Sequence, residues 1–457
     1  MKLIYNVDDK PKFGQLLVFA IQQLLAIMAA TLVVPVITGH GMSSAAALFG
    51  AGVGTLVYVL FTKKKSPVFL GSSFAFLGSM AAAFAGASSM ALGYVGLILG
   101  AVFAGLVYVV IALVVKFAGV KWINKLMPAV VIGPTVSIIG LSLAGNAIGD
   151  LTKGSVAIDE VAVASPLVTV LCGIITLLVV CLSSVYGKKA GKLIPFIFGI
   201  LAGYAAAAIF TIIGNAADIP ALMVTNFSPL TSLFADGVKL SSFISVPDFT
   251  FVTALKGVGE INATYVASIF AAYVPVAFVV FAEHIADHKN ISSIIEKDLL
   301  EEPGLTRTLL GDGVGSIVGS IFGGCPNTTY GESVGCVAIT KNASIYTIIT
   351  AAILAMLISF ISPFVAFVNS IPSCVMGGVC MALYGFIAVS GLKMVQKVDL
   401  EDNKNLFVVS AILIAGIGGL SLTFGKVTIT SVACALILGI ILNIVLGKKK
   451  TEDVTAE

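Results

Sequence analysis

The sequence predicts an all-α polytopic membrane protein: fourteen transmembrane segments in two sets of seven, the second set inverted relative to the first. Composition is the first observation behind this. Of 457 residues, 58% are hydrophobic and 11% charged, with a mean hydropathy of +1.08, whereas soluble proteins are about 25% charged. Because a spanning helix needs roughly 20 mostly apolar residues, the chain has room for well over a dozen spans and little else. That composition excludes a nucleic-acid binder or a secreted scaffold. The net charge of +3 carries little information beside the positions of the lysines. Seven cysteines, Cys172, Cys181, Cys325, Cys336, Cys374, Cys380 and Cys434, are odd in number and lack CxxC spacing. They give no disulfide framework or zinc signature and read as small core residues. No cofactor is expected. The opening MKLIYNVDDKPKFGQ is polar and runs into an apolar stretch without a small-residue cleavage site, so no removable signal peptide is expected.

Apolar runs between polar or Pro/Gly breaks predict spans at 13–36, 43–61, 68–87, 91–117, 126–145, 164–186 and 192–213. A second set follows at 264–287, 304–323, 326–341, 344–369, 373–391, 405–421 and 428–447. Lysine placement is the second observation, because cytoplasmic loops carry the excess positive charge. With this count the inside segments hold Lys2, Lys10, Lys12, Lys63 to Lys65, Lys116, Lys121, Lys125, Lys188, Lys189, Lys192, Lys289, Lys297, Arg307, Lys341, Lys393, Lys397, Lys404 and Lys448 to Lys450. Of the 26 Lys and Arg only Lys153, Lys239, Lys256 and Lys426 fall outside. Both termini are therefore expected in the cytoplasm, with tails at 1–12 and 448–457 and the longest loop, 214–260, outside.

The third observation is an internal match. Met127-Pro128-Ala-Val-Val-Ile-Gly133 in the fifth span and Ile371-Pro372-Ser-Cys-Val-Met-Gly377 in the twelfth both read apolar-Pro-x4-Gly, and glycines recur at Gly140 and Gly385. Pro and Gly are common in membrane helices, so this match alone leaves coincidence open. The inversion rests instead on parity: seven spans is an odd number, so the second half enters from the opposite side.

Two segments are poor helices. The third opens Ser66-Pro-Val-Phe-Leu-Gly71-Ser-Ser-Phe74-Ala-Phe76 and the tenth Phe322-Gly-Gly-Cys-Pro326-Asn-Thr-Thr-Tyr330-Gly331-Glu332, at corresponding places in the halves. Irregular backbone at membrane depth is tolerated only where protein or an aqueous cavity satisfies its polar groups. Paired interruptions point to a substrate site at the midplane. Each is expected to begin extended and finish as a short helix, the two N-termini facing each other and presenting N–H donors and a positive dipole. GAGVG at 50–54 lacks GxGxxG and reads as helix packing.

Four acids fall in or at the edge of spans: Glu283, Asp287, Asp312 and Glu332. An ionisable side chain at the bilayer centre costs about 2.5–3.5 kcal/mol even on a permissive scale, so such groups turn inward to a site or relay. Glu283 and Asp287 are four apart and share a helical face. Glu332 follows the break in the tenth segment. For Asp287 and His288 an interfacial position stands beside the functional one, His284 reads as a packing or capping residue, and Asp312 reads as an internal hydrogen-bonding group.

At Ala282-Glu283-His284, Pro326-Asn327-Thr328-Thr329-Tyr330-Gly331-Glu332 and Gly71-Ser72-Ser73-Phe74-Ala75-Phe76, the chain closely resembles the nucleobase:cation symporter-2 family (nucleobase-ascorbate transporters), and within it the bacterial uracil permeases. The resemblance covers essentially the whole chain, and NTTYGE is highly specific. It implies a short antiparallel strand before the helix in segments 3 and 10. It further implies a core domain of segments 1–4 (13–120) and 8–11 (261–370), which moves against a gate domain of segments 5–7 (121–213) and 12–14 (371–447). The activity implied is proton-coupled uracil uptake across the bacterial cytoplasmic membrane, with no enzymatic reaction. Glu283 and Glu332 would hydrogen-bond the pyrimidine, backbone amides at Phe74 and Gly331 would reach its carbonyls, and Ala30, Phe74 and Tyr330 would pack around the ring. Tyr384 matches a gate-side tyrosine that approaches the substrate. Proton coupling is assigned to Glu283 with Asp287 and His288, and supporting roles to Asp312, Gln23 and Ser333. Two departures stand out: the broader motif E-N-x-G-x4-T has Asn where this chain has Ser333, and Asp287 stands where some uracil permeases have His.

Uracil is planar and neutral, with two N–H donors and two carbonyl acceptors. A site for it needs carboxylate acceptors opposite backbone donors, between apolar faces, and these segments supply all three. A purine (xanthine or urate) permease of the same family is the nearest alternative, although Glu332-Ser333 differs from the Q-N-x-G usual there. An anion exchanger of the same architecture is another, opposed by two central carboxylates. Partners expected are uracil or a related nucleobase, protons with Na+ left open, the lipid bilayer and a homodimer, with no nucleic acid.

Overall fold

The structure, a computed structural model, describes residues 3–119, 128–158, 161–188, 191, 194–424 and 427–447. Lys2, Lys121, Lys125, Lys189, Lys192, Lys426, Lys448 to Lys450 and Met127 lie outside the described residues. Helices dominate: α1 (Phe13–Thr38), α2 (Ser44–Phe61), α3 (Leu77–Ala85), α4 (Met90–Ala118), α5 (Ala129–Ser142), α6 (Ala144–Leu151), α7 (Pro166–Tyr186) and α8 (Pro195–Ala217). After the loop containing α9 (Thr250–Gly257) come α10 (Ala263–Ile295), α11 (Leu305–Gly323), α12 (Gly331–Thr340), α13 (Ile345–Ile358), α14 (Ser362–Ser370), α15 (Ser373–Val395), α16 (Asn403–Ile417) and α17 (Ser431–Leu446). Among the described residues, eight helical stretches are long and apolar enough to cross a membrane: α1, α2, α4, α5 with α6, α7, α8, α10 and α15. The chain is thus a mostly helical, multi-pass membrane-type protein.

Two expected boundaries need correction. The helix of the eighth segment, expected over 264–287, continues as α10 to Ile295. Asp287 and His288 therefore lie inside a helix, with side chains buried against neighbouring elements. The stretch expected as one span over 344–369 breaks into α13 and α14. There Pro363 opens the new helix, where its missing N–H costs nothing, and the amide of Ser362 donates to Phe243 O at 2.9 Å. Cys181 also departs from the core reading. The buried stripe of α7 runs through Thr169, Cys172, Thr176 and Val180, and Cys181, about 100° further round the helix, is exposed.

The helices pack in two sets. In the first, α2 lies between α11 and α13, α11 also packs on α4, α10 on α4 and α3, and α1 on α2 and α13. In the second, α15 packs on α5, α6 and α7, α7 on α8, and α16 and α17 on α5. Small residues set the closest approach of the first set. A Cβ added at Gly54 would stand 2.7 Å from Gly315 O, one at Gly323 would stand 2.6 Å from Ala47 Cα, and one at Gly50 would strike Gly319 O. These four-residue spacings let α2 and α11 meet backbone to backbone, so 50–54 is a packing surface.

The polar N-terminal stretch docks under this set. Ile4 N donates to Lys341 O at 2.8 Å, Ala343 N to Tyr5 O at 2.9 Å and Ile345 N to Val7 O at 2.9 Å, and Val7 is buried. It fills the space left at the end of α12, which is only 10 residues long. Small hairpins also occur at Ala157–Ile158 with Val161–Ala162 and at Leu422–Phe424 with Val427–Ile429.

Candidate functional site

The two interrupted segments meet. Leu70–Ser72 (β1) and Asn327–Thr329 (β2) pair antiparallel, Leu70 opposite Thr329, Gly71 opposite Thr328 and Ser72 opposite Asn327. Their buried backbone finds partners on every side, as membrane depth requires. Ser73 N donates to Pro326 O (2.9 Å) and Tyr330 N to Phe69 O (3.2 Å). Leu70 N donates to Thr55 Oγ1 (2.9 Å), Asn327 N to Ser316 Oγ (2.9 Å) and Asn327 Nδ2 to Gly50 O (3.1 Å). From this crossing a 3-10 turn, Phe74–Phe76, leads into α3, and Gly331 opens α12. Two helix N-termini therefore start beside one another. Their first amides, at Phe74 and Gly331, are among those a helix leaves without an internal acceptor.

Side chains lock the crossing. Tyr330 donates its hydroxyl to Ser72 O at 2.6 Å, and its ring fills the space a Cβ on Gly71 would occupy, so only glycine fits there. Ser333 Oγ accepts from Phe69 N at 3.0 Å and from Gln23 Nε2, joining α1, the approach to β1 and α12. Ala30 is buried on α1. Phe74 is buried and meets Tyr384 of α15 edge to face, ring centroids 5.8 Å apart at 82°. The Tyr384 hydroxyl is buried with no hydrogen-bond partner.

The acids converge on the same place. Helix α10 packs against the Phe74–Phe76 turn, β2 and α12, which brings Glu283 within electrostatic reach of Asp287, Glu332 and Asp312. Glu332 stands in the first turn of α12, where the helix dipole favours a carboxylate. Gly331 is exposed and Glu283 and Glu332 are half-buried, whereas Ala30, Phe74, Tyr330, Ser333 and Asp287 are buried. The residues that reach accessible space at the crossing are thus Gly331, Glu283 and Glu332.

Behind them, Asp287 Oδ2 accepts from Thr329 Oγ1 at 2.8 Å. His288 donates from Nδ1 to His284 O at 2.7 Å, and its Nε2 lies 2.6 Å from the Tyr58 hydroxyl, which is also 2.7 Å from Ser66 Oγ. His284 Nδ1 lies 2.7 Å from Asp312 Oδ2. Sequence reasoning did not single out Tyr58, Ser66, Thr308 or Thr329. Hydroxyl residues on elements other than the acid's own leave no periodic signal, and only the packing of α2, the strand crossing and α11 around α10 makes them partners.

Paired half-helices at a buried crossing, lined by carboxylates and enclosed by membrane-length helices, define a polytopic membrane transporter. The permease-family sequence profile matches residues 14–425. The chain is 35% identical to the uracil permease of Bacillus subtilis, over 99% of this chain and 97% of that one. It is 33% identical to the uracil permease of Escherichia coli K12 (96% and 93%) and 30% identical to that organism's putative pyrimidine permease RutG (97% and 92%). In fold it resembles the transmembrane domain of a cyanobacterial bicarbonate transporter, BicA, with a TM-score of 0.61 at 13% identity over 96% of this chain and 99% of that one. It also resembles the inward-facing murine Solute Carrier 26 family member A9 anion transporter, with a TM-score of 0.63 at 11% identity over 96% and 69%. The chain belongs to the permease family, that of the nucleobase:cation symporter-2 transporters.

Proposed function

We propose that this protein imports uracil by proton symport across the bacterial cytoplasmic membrane, with both termini in the cytoplasm. The observation that carries the reading is the convergence of Glu283 and Glu332 on the crossing where the helical starts at Phe74 and Gly331 meet. Two carboxylate acceptors and two helix-start donors, with the Phe74 ring beside them, would match the donor and acceptor edges of a pyrimidine. The curated relatives, uracil permeases at 33–35% identity over nearly the whole chain, support the same substrate. The likeness to anion transporters concerns the fold alone, and a pair of central carboxylates opposes an anionic substrate.

The fourteen spans of the 7+7 inverted repeat would be 13–38, 44–61, 70–85, 90–118, 129–151, 166–186 and 195–217, then 263–295, 305–323, 327–340, 345–358, 373–395, 403–417 and 431–446. The two packing sets would be the core, which holds substrate, and the gate, which contributes Tyr384. Core moving against gate would open the crossing to one side at a time. Glu283 is the coupling group: it carries a proton with the substrate and releases it inside. Glu332 chiefly binds the substrate, and Asp287 and His288 assist coupling.

The test is radiolabelled uracil uptake into proteoliposomes with and without an inward proton gradient, challenged by excess xanthine. Gradient-driven uptake that xanthine does not compete is expected; uptake abolished by xanthine would make this a purine permease. Glu283→Gln should lose accumulation against a gradient while keeping uracil exchange, and accumulation by that variant would remove Glu283 from coupling.

A further inference from the structure

The hydrogen-bond inventory around His284 has a consequence for protons. His284 and Asp312 are completely buried. They lie on α10 and α11, directly behind Glu283, which precedes His284 in the chain. Nδ1 of His284 is 2.7 Å from Asp312 Oδ2, and Nε2 is 3.0 Å from Thr308 Oγ1. The Thr308 hydroxyl has a second acceptor, Leu305 O, at 3.1 Å. A threonine hydroxyl carries a single hydrogen, so two arrangements satisfy the cluster. In one, Thr308 donates to Leu305 O, His284 Nε2–H donates to Thr308, and a further proton bridges Nδ1 and Oδ2, leaving the pair neutral overall. In the other, the cluster holds one proton fewer: the bridging hydrogen stays on Nδ1 and donates to the Asp312 carboxylate, the Nε2 hydrogen has gone, and Thr308 turns its own hydrogen to Nε2. Loss of that one proton, with rotation of the Thr308 hydroxyl from Leu305 O to Nε2, converts the first into the second without exchanging any heavy-atom partner.

The neighbourhood leaves room for that change. Asp312 Oδ1 is buried with no hydrogen-bond partner, and so is the Tyr108 hydroxyl. The titratable groups facing the pair are Tyr58 from α2, Tyr108 from α4, and Glu283, Asp287 and His288 from α10. Among the described residues the ion-pair partner of Asp312 is His284, and no lysine or arginine pairs with it. A permanently ionised carboxylate with one oxygen unmatched would be an expensive structural element. A carboxylate that shares a proton with imidazole and gives it up in one phase of a cycle is not.

We propose that His284 and Asp312, with Thr308 as a hydroxyl switch, form a second proton-holding site that loads and unloads during transport, separate from the substrate-binding glutamates. This rests on the proton-symport reading above.

Two measurements on the full-length purified protein test it. The first needs no substrate. An infrared pH titration of the parent should show a carboxyl–imidazole transition that disappears in Asp312→Asn while the remaining carboxyl bands persist; an unchanged titration would overturn the proposal. The second uses proteoliposomes. Asp312→Asn should keep uracil exchange but lose accumulation by about tenfold per pH unit of gradient, the factor one proton contributes. Accumulation equal to the parent, or exchange and accumulation falling together, would overturn it, the latter outcome showing a structural element. If Asp312→Asn does not fold, Thr308→Val keeps both titrating groups and removes the switch. Its infrared transition should shift in pH, and an unshifted transition would overturn the proposal. If the parent itself shows no proton-driven uptake, symport fails, while the infrared titration still decides whether the pair holds a proton.

Discussion

The two packing sets use polar side chains in opposite ways. In the first, buried polar groups bond across helices: Tyr58 with His288, His284 with Asp312, Thr329 with Asp287, Gln23 with Ser333, Ser79 with Ala272 O, and Tyr265 with Ala83 O. In the second, they are chiefly hydroxyls that donate to a carbonyl one turn back in their own helix, as Thr135 does to Val131, Thr176 to Cys172 and Thr211 to Ala207. The first set is thus cross-linked by directional bonds and holds every buried His and acid of the site. The second is joined largely by apolar and small-residue contacts. Where the sets face each other at the crossing, one contact is the Phe74–Tyr384 ring pair, beside the packing of α10 on α5 and α17 and of α1 on α8 and α15. A cross-linked body that keeps site geometry, meeting a smoother one through an aromatic edge, suits the core and gate roles proposed above.

The steepest way to break this comparison pairs Glu332→Gln in the first set with Thr176→Val in the second. Loss of a charge-assisted hydrogen bond costs about 1.5–3 kcal/mol, so uracil binding by Glu332→Gln should weaken by roughly 10- to 150-fold in a scintillation proximity assay, while Thr176→Val should bind as the parent does. Equal losses would mean that site geometry depends on both sets alike.

A smaller effect probes the α2–α11 contact. Gly54→Leu forces a side chain against Gly315 O, and overpacking of this kind costs about 1–3 kcal/mol. Its melting temperature in detergent should fall, whereas Gly145→Leu, at a position with open space around it, should leave melting unchanged.

The smallest concerns the end of the first set where α4 and α10 begin. There Glu260 accepts hydrogen bonds from Ser88 Oγ at 2.6 Å and Ser89 Oγ at 2.7 Å, tying the α3–α4 turn to the start of α10. The two serine hydroxyls hold its carboxyl below the usual carboxylate range. Because the folded value is depressed, the stabilisation is present above the ordinary value and lost as pH falls through the folded one. The difference in melting between the parent and Glu260→Gln should therefore be largest near neutral pH and shrink under acid; a constant difference would show that the ionised carboxylate contributes nothing.

Much of the candidate site was legible in the chain because membranes make certain residues conspicuous. Glu283 and Glu332 stand out where carboxylates are costly, and the two breaks at Gly71 and Pro326 stand out where backbone must be satisfied. The polar partners were not legible. Tyr58 is one tyrosine among 11, and nothing about it in the sequence shows that it meets His288, 230 positions away. The extent of α10 was misjudged for a related reason. A hydropathy pattern ends where polar residues begin, but the helix continues as long as neighbouring helices can bury and pair Asp287 and His288.

The sequence by itself determined that this is a multi-pass membrane-type protein and which acids are exceptional in its apolar segments, because water and lipid sort residues by polarity one segment at a time. Only the tertiary structure decided which acid meets which donor. The pairing of Leu70 with Thr329, the bond from Thr329 to Asp287 and the shared position of His284, Asp312 and Thr308 depend on helices far apart in the chain lying side by side. Hydrogen bonds act over about 3 Å, a distance no pattern along the chain encodes.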